Sequence, residues 1–349
     1  MSITPVPTNV FLPPMAHCDL AFGLQSAKRT AATPSIRLGL DTGGETIKPV
    51  FKRDFFQYVG QAEERHYRTQ AVYSEGSLDL PLIPTFVDGD LGDWMFGRDA
   101  TYYDSGYYAT IFRRIGTTYE RFVDCVVRKG SIDKKQGAPI RAKIDIAALW
   151  APIPGHSDDF ASLGPAGVMP LGEGTYYTPY TFDMATFEYA QGSDSPVYGT
   201  PGDTLVADMA SLDHTLDWDN VCATVEDMIT TGAGLGPIAL PFAALAKWKI
   251  NLGRYYAQDP TGAETYANLY ADFKNGAEAG YELTLGYPNF TTPTISCVFS
   301  LPRCVVEEHP LPLAEKDGFV KSEGIMLHAL GSLDGVVAPC TVTEAITSH

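Results

Sequence analysis

The 349-residue chain lacks the patterns that mark membrane spans and disulfide or zinc frameworks. Its longest apolar run, Gly234–Ala246, is interrupted by two prolines and is too short to cross a bilayer as a helix. No basic start followed by an apolar core opens the chain, so we do not expect secretion by a signal peptide. The six cysteines are scattered without a CxxC pair, which predicts buried free thiols in a reducing, cytoplasmic setting.

Nucleophile, phosphate and metal motifs are also missing. There is no GxSxG elbow and no GxxxxGK[ST] loop, and a GxGxxG-like string at Gly232 has Pro237 in place of its third glycine. The seven histidines show no HxxxH or HExxH spacing, and the aspartates near Asp217 lack the remainder of a calcium loop. We therefore expect no enzyme activity, no cofactor and no metal. Among 42 acidic residues, a carboxylate pair for glycoside hydrolysis stays open as an alternative.

Basic residues are scarce in the second half of the chain. Residues 1–150 carry 18 Lys/Arg and 17 Asp/Glu, a net charge of +1. The remaining residues carry 25 − 18 = 7 basic and 42 − 17 = 25 acidic side chains, a net charge of −18. Such a surface repels nucleic acid phosphates instead of binding them. Solubility alone is the alternative explanation.

The stretch 74–97 predicts a strand that runs directly into a short helix. Leu78, Leu80 and Leu82 alternate as on one face of a strand. From residue 86 the apolar spacing becomes helical, with aspartates near the expected N-terminus and Gly97 as the stop.

The same order of elements returns in the second half, which predicts an internal duplication. Leu245–Leu252 reads as the second strand and Thr261–Gly276 as the second helix. Cys125 and Cys297 fall on strands that match in this order, 297 − 125 = 172 residues apart, close to the helix offset of 270 − 94 = 176. Chance alignment of short β elements is the alternative.

Length and composition predict two β domains with a linker and two arms. The length favours two domains, and the Pro/Gly-dense stretch Ala151–Gly174 is the expected linker. The predicted division is an N-terminal arm (1–34), a first β domain (35–150), the linker (151–174), a second β domain (175–330) and a C-terminal arm (331–349).

Two groups of side chains are the candidate functional residues. Ser211–Asp219 alternates apolar and polar residues and predicts a half-buried strand with an acidic outer face. With the first strand, it supplies the candidate acids Asp79, Asp213, Asp217 and Asp219. The aromatic loop Thr101–Tyr108 is either a contact between subunits or a cover for a sheet edge. Its candidate contact residues are Tyr102, Tyr103, Tyr107 and Tyr108.

Three segments carry a resemblance to a known family: AFGLQSAKRTAATPSIRLGL (21–40), EGSLDLPLIPTFVDGDLGDWMFG (75–97) and YERFVDCVVRKGSIDKKQGAPIRAKIDI (119–146). With the later strand–helix–strand set, they resemble the tail tube (major tail) proteins of long-tailed bacteriophages, in particular the larger two-domain branch. The resemblance covers roughly residues 20–330 and lies in element order and local texture. It implies a mainly β fold with short flanking helices, a β-sandwich in each domain, and strands that join a shared β-barrel in an assembled ring.

The resemblance also implies a function. The protein would be a structural virion protein, assembled in the host cytoplasm, whose stacked rings form the tail tube. Its partners would be further copies of itself, the tape-measure protein and the tail-end proteins, with no membrane. DNA would pass through a bore lined by acids such as those named above, without specific binding. A duplicated chain favours three copies per ring over six.

Two other classes of protein stay open. A two-domain β-sandwich that binds carbohydrate or a protein partner, or decorates a capsid, would use the aromatic cluster at 102–108 and would not polymerise. A hydrolase would have a pocket with coupled carboxylates of shifted pKa.

Overall fold

The computed structural model describes residues 18–26, 31–38, 44–57, 59, 63, 66–83, 90–96, 108–115, 118–150, 180–181, 184–190, 206–207, 211–219, 247–255, 270, 273–286, 295–310, 315–316, 319–331 and 339–346. Within these residues the fold is mainly β, as predicted, with sixteen strands that all pair antiparallel, one α-helix in the first half and a helical segment at residues 270 and 273–275. None of the helices found there is long and apolar enough to cross a membrane.

The strands of the first half precede and follow the helix. They are β1 (Cys18–Leu24), β2 (Ile36–Leu38), β3 (Lys48–Phe56), β4 (His66–Pro81), β5 (Ala109–Ile115), β6 (Thr118–Lys134) and β7 (Arg141–Trp150), with α1 (Asp90–Phe96) between β4 and β5.

The remaining strands make up the second half. They are β8 (Ala185–Ala190), β9 (Val206–Ala207), β10 (Ser211–Asp219), β11 (Lys247–Tyr255), β12 (Glu278–Gly286), β13 (Ile295–Glu308), β14 (Glu315–Lys316), β15 (Phe319–Ala329) and β16 (Thr341–Ile346).

The first-half strands pair in the order β2–β1–β5–β6–β7–β4–β3. The long strand β6 belongs to two parts of this sheet. Its N-terminal part pairs with β5, and its central and C-terminal parts pair with β7. One chain segment therefore connects the layer β2–β1–β5–β6 with the layer β6–β7–β4–β3.

The second-half strands repeat this order strand for strand, as β9–β8–β12–β13–β15–β11–β10. Two short strands are additional: β14 pairs with β15, and β16 pairs with the N-terminal part of β13. The two sets are joined edge to edge, because β10 of the second set pairs with the C-terminal part of β6 in the first.

Around the matched cysteines the two sets agree in register as well as in order. Elsewhere they differ, since β11 shifts against β15 after Leu252 whereas β4 stays in step with β7. Cys125 lies opposite Ala109 and Ala148, just as Cys304 lies opposite an alanine on each side, and a register shift follows each cysteine at the same distance. Each thiol also donates to the carbonyl three residues earlier, over 3.3 Å for Cys125 and 3.8 Å for Cys304. Matching positions obtained by following these registers include Phe122/Leu301, Cys125/Cys304, Ile146/Leu327 and Leu78/Leu252.

This register corrects one sequence-based match. Cys297, which the sequence paired with Cys125, lies seven residues before Cys304 on β13 and opposite Leu285. The offset for the β6/β13 match is 304 − 125 = 179, larger than the predicted 172. The reason is that the segments between matching strands differ in length, so one constant offset cannot align both the helices and the strands.

The predicted strand-to-helix unit is confirmed. Leu78, Leu80 and Leu82 are fully buried on one face. The helix α1 follows, and its residues Leu91 and Trp94 are buried. In the second half, residues 270 and 273–275 are helical, and Gly276 ends this segment with a φ of 63° that glycine adopts without strain.

The termini differ in part from the predicted arms. Cys18–Leu24 was expected within the N-terminal arm but is strand β1, paired on both sides, because Leu20 and Phe22 are buried in the core. Within the predicted C-terminal arm, Thr341–Ile346 forms β16. The predicted linker, residues 151–174, lies outside the described residues, and the predicted domain boundaries stay predictions.

A continuous buried core links both halves through the helix α1. The Trp94 indole N–H donates to the Cys125 carbonyl over 3.1 Å, and its ring contacts Phe22 at 5.2 Å between centroids. Phe96 at the end of α1 packs against Trp218 of β10 and Phe299 of β13, at 5.4 and 5.1 Å. The helix thus packs against the inner side of both strand sets.

Candidate functional site

The polar face of the joined sheet holds all four predicted acids. This polar face consists of the outward-pointing residues of β4, β7, β6, β10 and β11, opposite the side that packs on the core. Asp79 lies on β4, whereas Asp213, Asp217 and Asp219 lie on β10. Asp213 and Asp219 are exposed, and Asp217 is half-buried.

Charges on the polar face alternate in sign from strand to strand. One cross-strand row reads Asp145, Lys129, Asp219, Lys247, and the next reads Asp79, Lys143, Ser131, Asp217, Lys249. Opposite charges on neighbouring strands attract across an antiparallel pair. In its described part the face therefore carries charges of both signs.

Ion pairs connect neighbouring strands of the polar face in the part of the chain that the structure describes. Arg141 Nε lies 2.7 Å from Asp79 Oδ1, and Lys129 Nζ lies 3.1 Å from Asp145. Lys143 Nζ lies 3.5 Å from an oxygen of Asp133. Because these groups are partly exposed, each pair adds little to stability. Their main effect is to leave few basic groups without a nearby carboxylate.

The pKa of Asp217 differs from that of an ordinary aspartate. Burial raises the pKa of the Asp217 carboxyl above its ordinary value, and the negative charge of Asp133 on β6 raises it further. Asp217 and Asp133 are diagonal neighbours, since Asp217 lies opposite Ser131 and Asp133 opposite Thr215.

We expect Asp217→Asn to stabilise the protein near neutral pH. A raised folded-state pKa favours the protonated form, so this group's contribution is fully present below the ordinary Asp value of about 3.9 and is lost as the pH rises through the raised value. The variant should therefore match the wild type in acid and exceed its melting temperature at about pH 7. Melting curves of both proteins across this range measure the difference.

Asp219→Asn is the matched control, because it removes the same charge from an exposed position on the same strand. We expect it to change the pH dependence of melting less than Asp217→Asn does. A lower melting temperature for Asp217→Asn at neutral pH would contradict the assignment.

The tyrosine loop is mostly outside the described residues, as are Tyr102, Tyr103 and Tyr107. Tyr108 is buried at the start of β5, and its carbonyl accepts a hydrogen bond from the Gln25 backbone over 2.9 Å. This burial leaves Tyr108 little surface for contact with another copy.

An exposed apolar patch, which the sequence did not single out, lies on the far end of the β3–β4 hairpin. We name it the hairpin tip and define it by Phe55, Phe56, Val59 and Tyr67, all exposed. The rings of Phe55 and Tyr67 lie 6.2 Å apart, and the Arg53 guanidinium lies 5.6 Å from the Tyr67 ring centroid. A pair of adjacent phenylalanines in a segment otherwise rich in charge was the available sequence signal.

The chain just before β3 is held by a partly buried ion cluster. Arg113 of β5 contacts Glu45 at 3.0 Å and donates to the Ile47 carbonyl over 2.8 Å, and it also pairs with Glu120. Burial alone would lower the pKa of Arg113, but the two carboxylates outweigh it and raise the pKa. The Glu45 carboxylate also accepts the Ile47 backbone N–H. Both outward backbone groups of Ile47 are therefore bonded by side chains.

No protein-family model matches this chain, and no curated protein sequence matches it. Within the described ranges, no group of three or more His, Cys, Asp or Glu side chains is arranged to hold a metal ion.

Proposed function

We propose that the protein is a structural virion protein whose copies form rings that stack into a phage tail tube, through which DNA passes. The observation that carries the proposal is the edge-to-edge link between β6 and β10, which joins two strand sets of identical order. A chain that already adds one such unit to another through strand edges can add the next unit from another copy in the same way.

We propose that the two sets are an internal duplication and that each forms a β-sandwich. Equal strand order and the same local register around the matching Cys125 and Cys304 support this origin. The layers β3–β4–β7–β6 and β10–β11–β15–β13 would line the ring as one sheet. Head-to-tail contacts of this kind close into a ring when the rotation permits, and closure into a barrel pairs every edge. Because each chain supplies two units, three copies per ring are favoured over six.

The polar face suits the wall of a conduit for DNA. Its opposite side is buried against α1 and the second layer, so the polar face is the side that an enclosed bore would expose. A polyanion binds where lysines and arginines can neutralise phosphates. Here the basic groups alternate with carboxylates at cross-strand distance, so no stripe of positive charge would hold the DNA.

Contacts between stacked rings would come from the hairpin tip and from the chain termini. Exposed apolar and aromatic side chains grouped at the end of a hairpin are typical of protein–protein contacts. The tape-measure and tail-end proteins are the further partners that the resemblance implies.

The hairpin tip gives a testable prediction about stacking. We expect Phe55→Ser combined with Tyr67→Ser to leave folding and rings intact but to shorten the tubes, because the change removes apolar contact area and no buried side chain. Tube length in electron micrographs, with Glu63→Ser as an exposed control, measures the effect. Tubes of wild-type length would exclude the hairpin tip from the stacking contact.

Electron microscopy of the purified full-length protein tests the proposed function. We expect rings with a central hole, and tubes at higher concentration. A protein that stays monomeric, or that forms a closed oligomer without a bore, would instead favour a binding or decoration module.

A further inference from the structure

We infer that copies of the chain join by pairing β3 of one copy with the C-terminal end of β13 of the next, in the register that places Val50 opposite Glu308. The inference rests on the proposed function, which requires copies to join by their edges, and it specifies which edges meet and how. It is carried by the link inside the chain. There β10 holds the place of β3 and β6 holds the place of β13, so the link β10–β6 is the template for β3–β13.

The position on β13 follows from the match between Cys125 and Cys304. From Cys125, β6 stays in step with β7 for three residues, shifts by one, and resumes at Lys129. From Cys304, β13 stays in step with β15 for three residues, shifts by one, and resumes at Glu308. Glu308 therefore holds the place of Lys129.

The position on β3 follows from the match between Leu78 and Leu252. Leu78 forms a bridge with Glu45, and Leu252 pairs with His214 of β10. Glu45 therefore holds the place of His214. From this match onward, residues 45–50 correspond one by one to residues 214–219, because neither pairing has a register shift before the end of β10.

Combining the two positions gives the register between copies. Within the chain, Asp219 at the end of β10 lies opposite Lys129 of β6. Counting along β3 and β10 from the match just described, Val50 holds the place of Asp219. The pair between copies is therefore Val50 with Glu308, and the next pair inward is Pro49 with His309.

The two edges have room and charge for this contact. Among the described residues β3 pairs with β4 alone, and the pairing of β12 with β13 ends at Val305, before Glu308. Lys48 and Arg53 are exposed on β3, and Glu308 is exposed on β13. The neighbouring Glu307 already pairs with Lys249 of β11 over 3.0 Å. Opposite charges on adjoining strands favour the pairing of these edges over that of two like edges.

The ion cluster around Arg113 marks the inner limit of the free edge. Ile47 is the match of Leu216, whose position on β10 pairs with Ile132 of β6. In this chain the outward backbone groups of Ile47 are already bonded by Glu45 and Arg113. A strand edge covered by charged side chains resists indiscriminate pairing. Within residues 48–50 only Pro49 turns its backbone away from β4, and proline has no N–H, so a neighbour can bond there only to the Pro49 carbonyl. Farther inward it must replace the two side-chain bonds to Ile47.

Cysteine cross-linking tests the register. Thr46 donates its backbone N–H to Ser77 of β4, so the backbone groups of even-numbered residues here, including Val50, point toward β4. Val50 and Glu308 would then form a non-hydrogen-bonded pair, with Cα atoms about 4.5 Å apart. This separation is within the disulfide range of about 4.4–6.8 Å. The test pair is Val50→Cys with Glu308→Cys, assembled as tubes and then oxidised.

We expect the double variant to give covalent dimers and trimers on non-reducing gels, ending at a closed trimer. A mixture of the two single variants should give dimers only, which shows that the bond joins different copies. The wild-type chain, with its native cysteines, is oxidised in parallel as the background. Lys48→Cys with Glu308→Cys is the register control, because its cysteines would lie one pleat apart.

The outcomes separate this inference from the proposed function. Wild-type tubes together with cross-linking of the Lys48/Glu308 pair, or of neither pair, would overturn the register and leave the tube intact. Absence of rings and tubes from the wild-type protein would overturn the proposed function itself. If the double variant does not assemble, the mixture of single variants decides in the same way.

Discussion

Replacing Trp94 by alanine should destabilise the protein by about 3–5 kcal/mol, the cost of deleting a large buried aromatic side chain. Trp94 is 2% exposed and packs against Phe22 next to Cys125 of β6. Its indole N–H also satisfies the Cys125 carbonyl, next to Asp124, which has a φ of 57° that is unusual for a residue other than glycine. The substitution therefore leaves a cavity and removes a hydrogen bond from the buried Cys125 carbonyl.

Chemical unfolding of the wild type and two variants measures this effect. Trp94→Phe is the matched control, because it keeps an aromatic ring in the site and loses the indole N–H. We expect it to cost about 1–2 kcal/mol. If the free energy of unfolding of the alanine variant lay within about 1 kcal/mol of the wild-type value, the contact of Trp94 with β6 would not be important for stability.

Replacing Gly130 by alanine should weaken the link between the two strand sets by about 1–3 kcal/mol, with a larger loss for valine. A Cβ atom at Gly130 would lie 2.2 Å from Cζ2 of Trp218, far inside contact distance. The indole cannot move away easily, since it is stacked on Trp248 at 5.3 Å and touches Phe96. Rings should be lost together with stability, because the β6–β10 link is part of every proposed ring.

A double-mutant cycle isolates the cause of the Gly130 effect. Trp218→Leu removes the ring atoms that a Cβ would meet, so the pair Gly130→Ala and Trp218→Leu should be less destabilised than the sum of the single variants. Ser131→Ala, on the polar face beside Gly130, is the control and should stay within about 0.5 kcal/mol of the wild type. Strictly additive effects would show that contact with Trp218 is not why residue 130 is glycine.

Local periodicity was enough to predict most of the individual elements. The alternation in Ser211–Asp219 and around Leu78 predicted strands with the correct buried face, since burial of one face imposes a period of two. The helix α1 was predicted for the same kind of reason. These signals are local, so they can be recognised without knowing which strands pair with each other.

The pairing between distant strands could not be read in this way. Nothing in the sequence near Lys129 or Asp219 indicates that β6 and β10 lie side by side. Whether a strand has a free edge depends on which distant strands pair with it, and local periodicity does not contain that information. Strand β1 was expected in an arm because the surrounding residues are rich in proline and threonine, although Leu20 and Phe22 alternate as a strand. The lysines that lie opposite Asp79, Asp217 and Asp219 likewise could not be predicted, because they are determined by the register between strands that are distant in sequence.

A cryo-electron microscopy reconstruction of the assembled full-length protein tests the central claim most directly. We expect three copies per ring around a bore lined by the polar face, with the β6–β10 link inside each copy alternating with a β3–β13 link between copies. A particle in which the β3 and β13 edges face solvent, or in which the apolar side of the joined sheet lines the opening, would contradict the account.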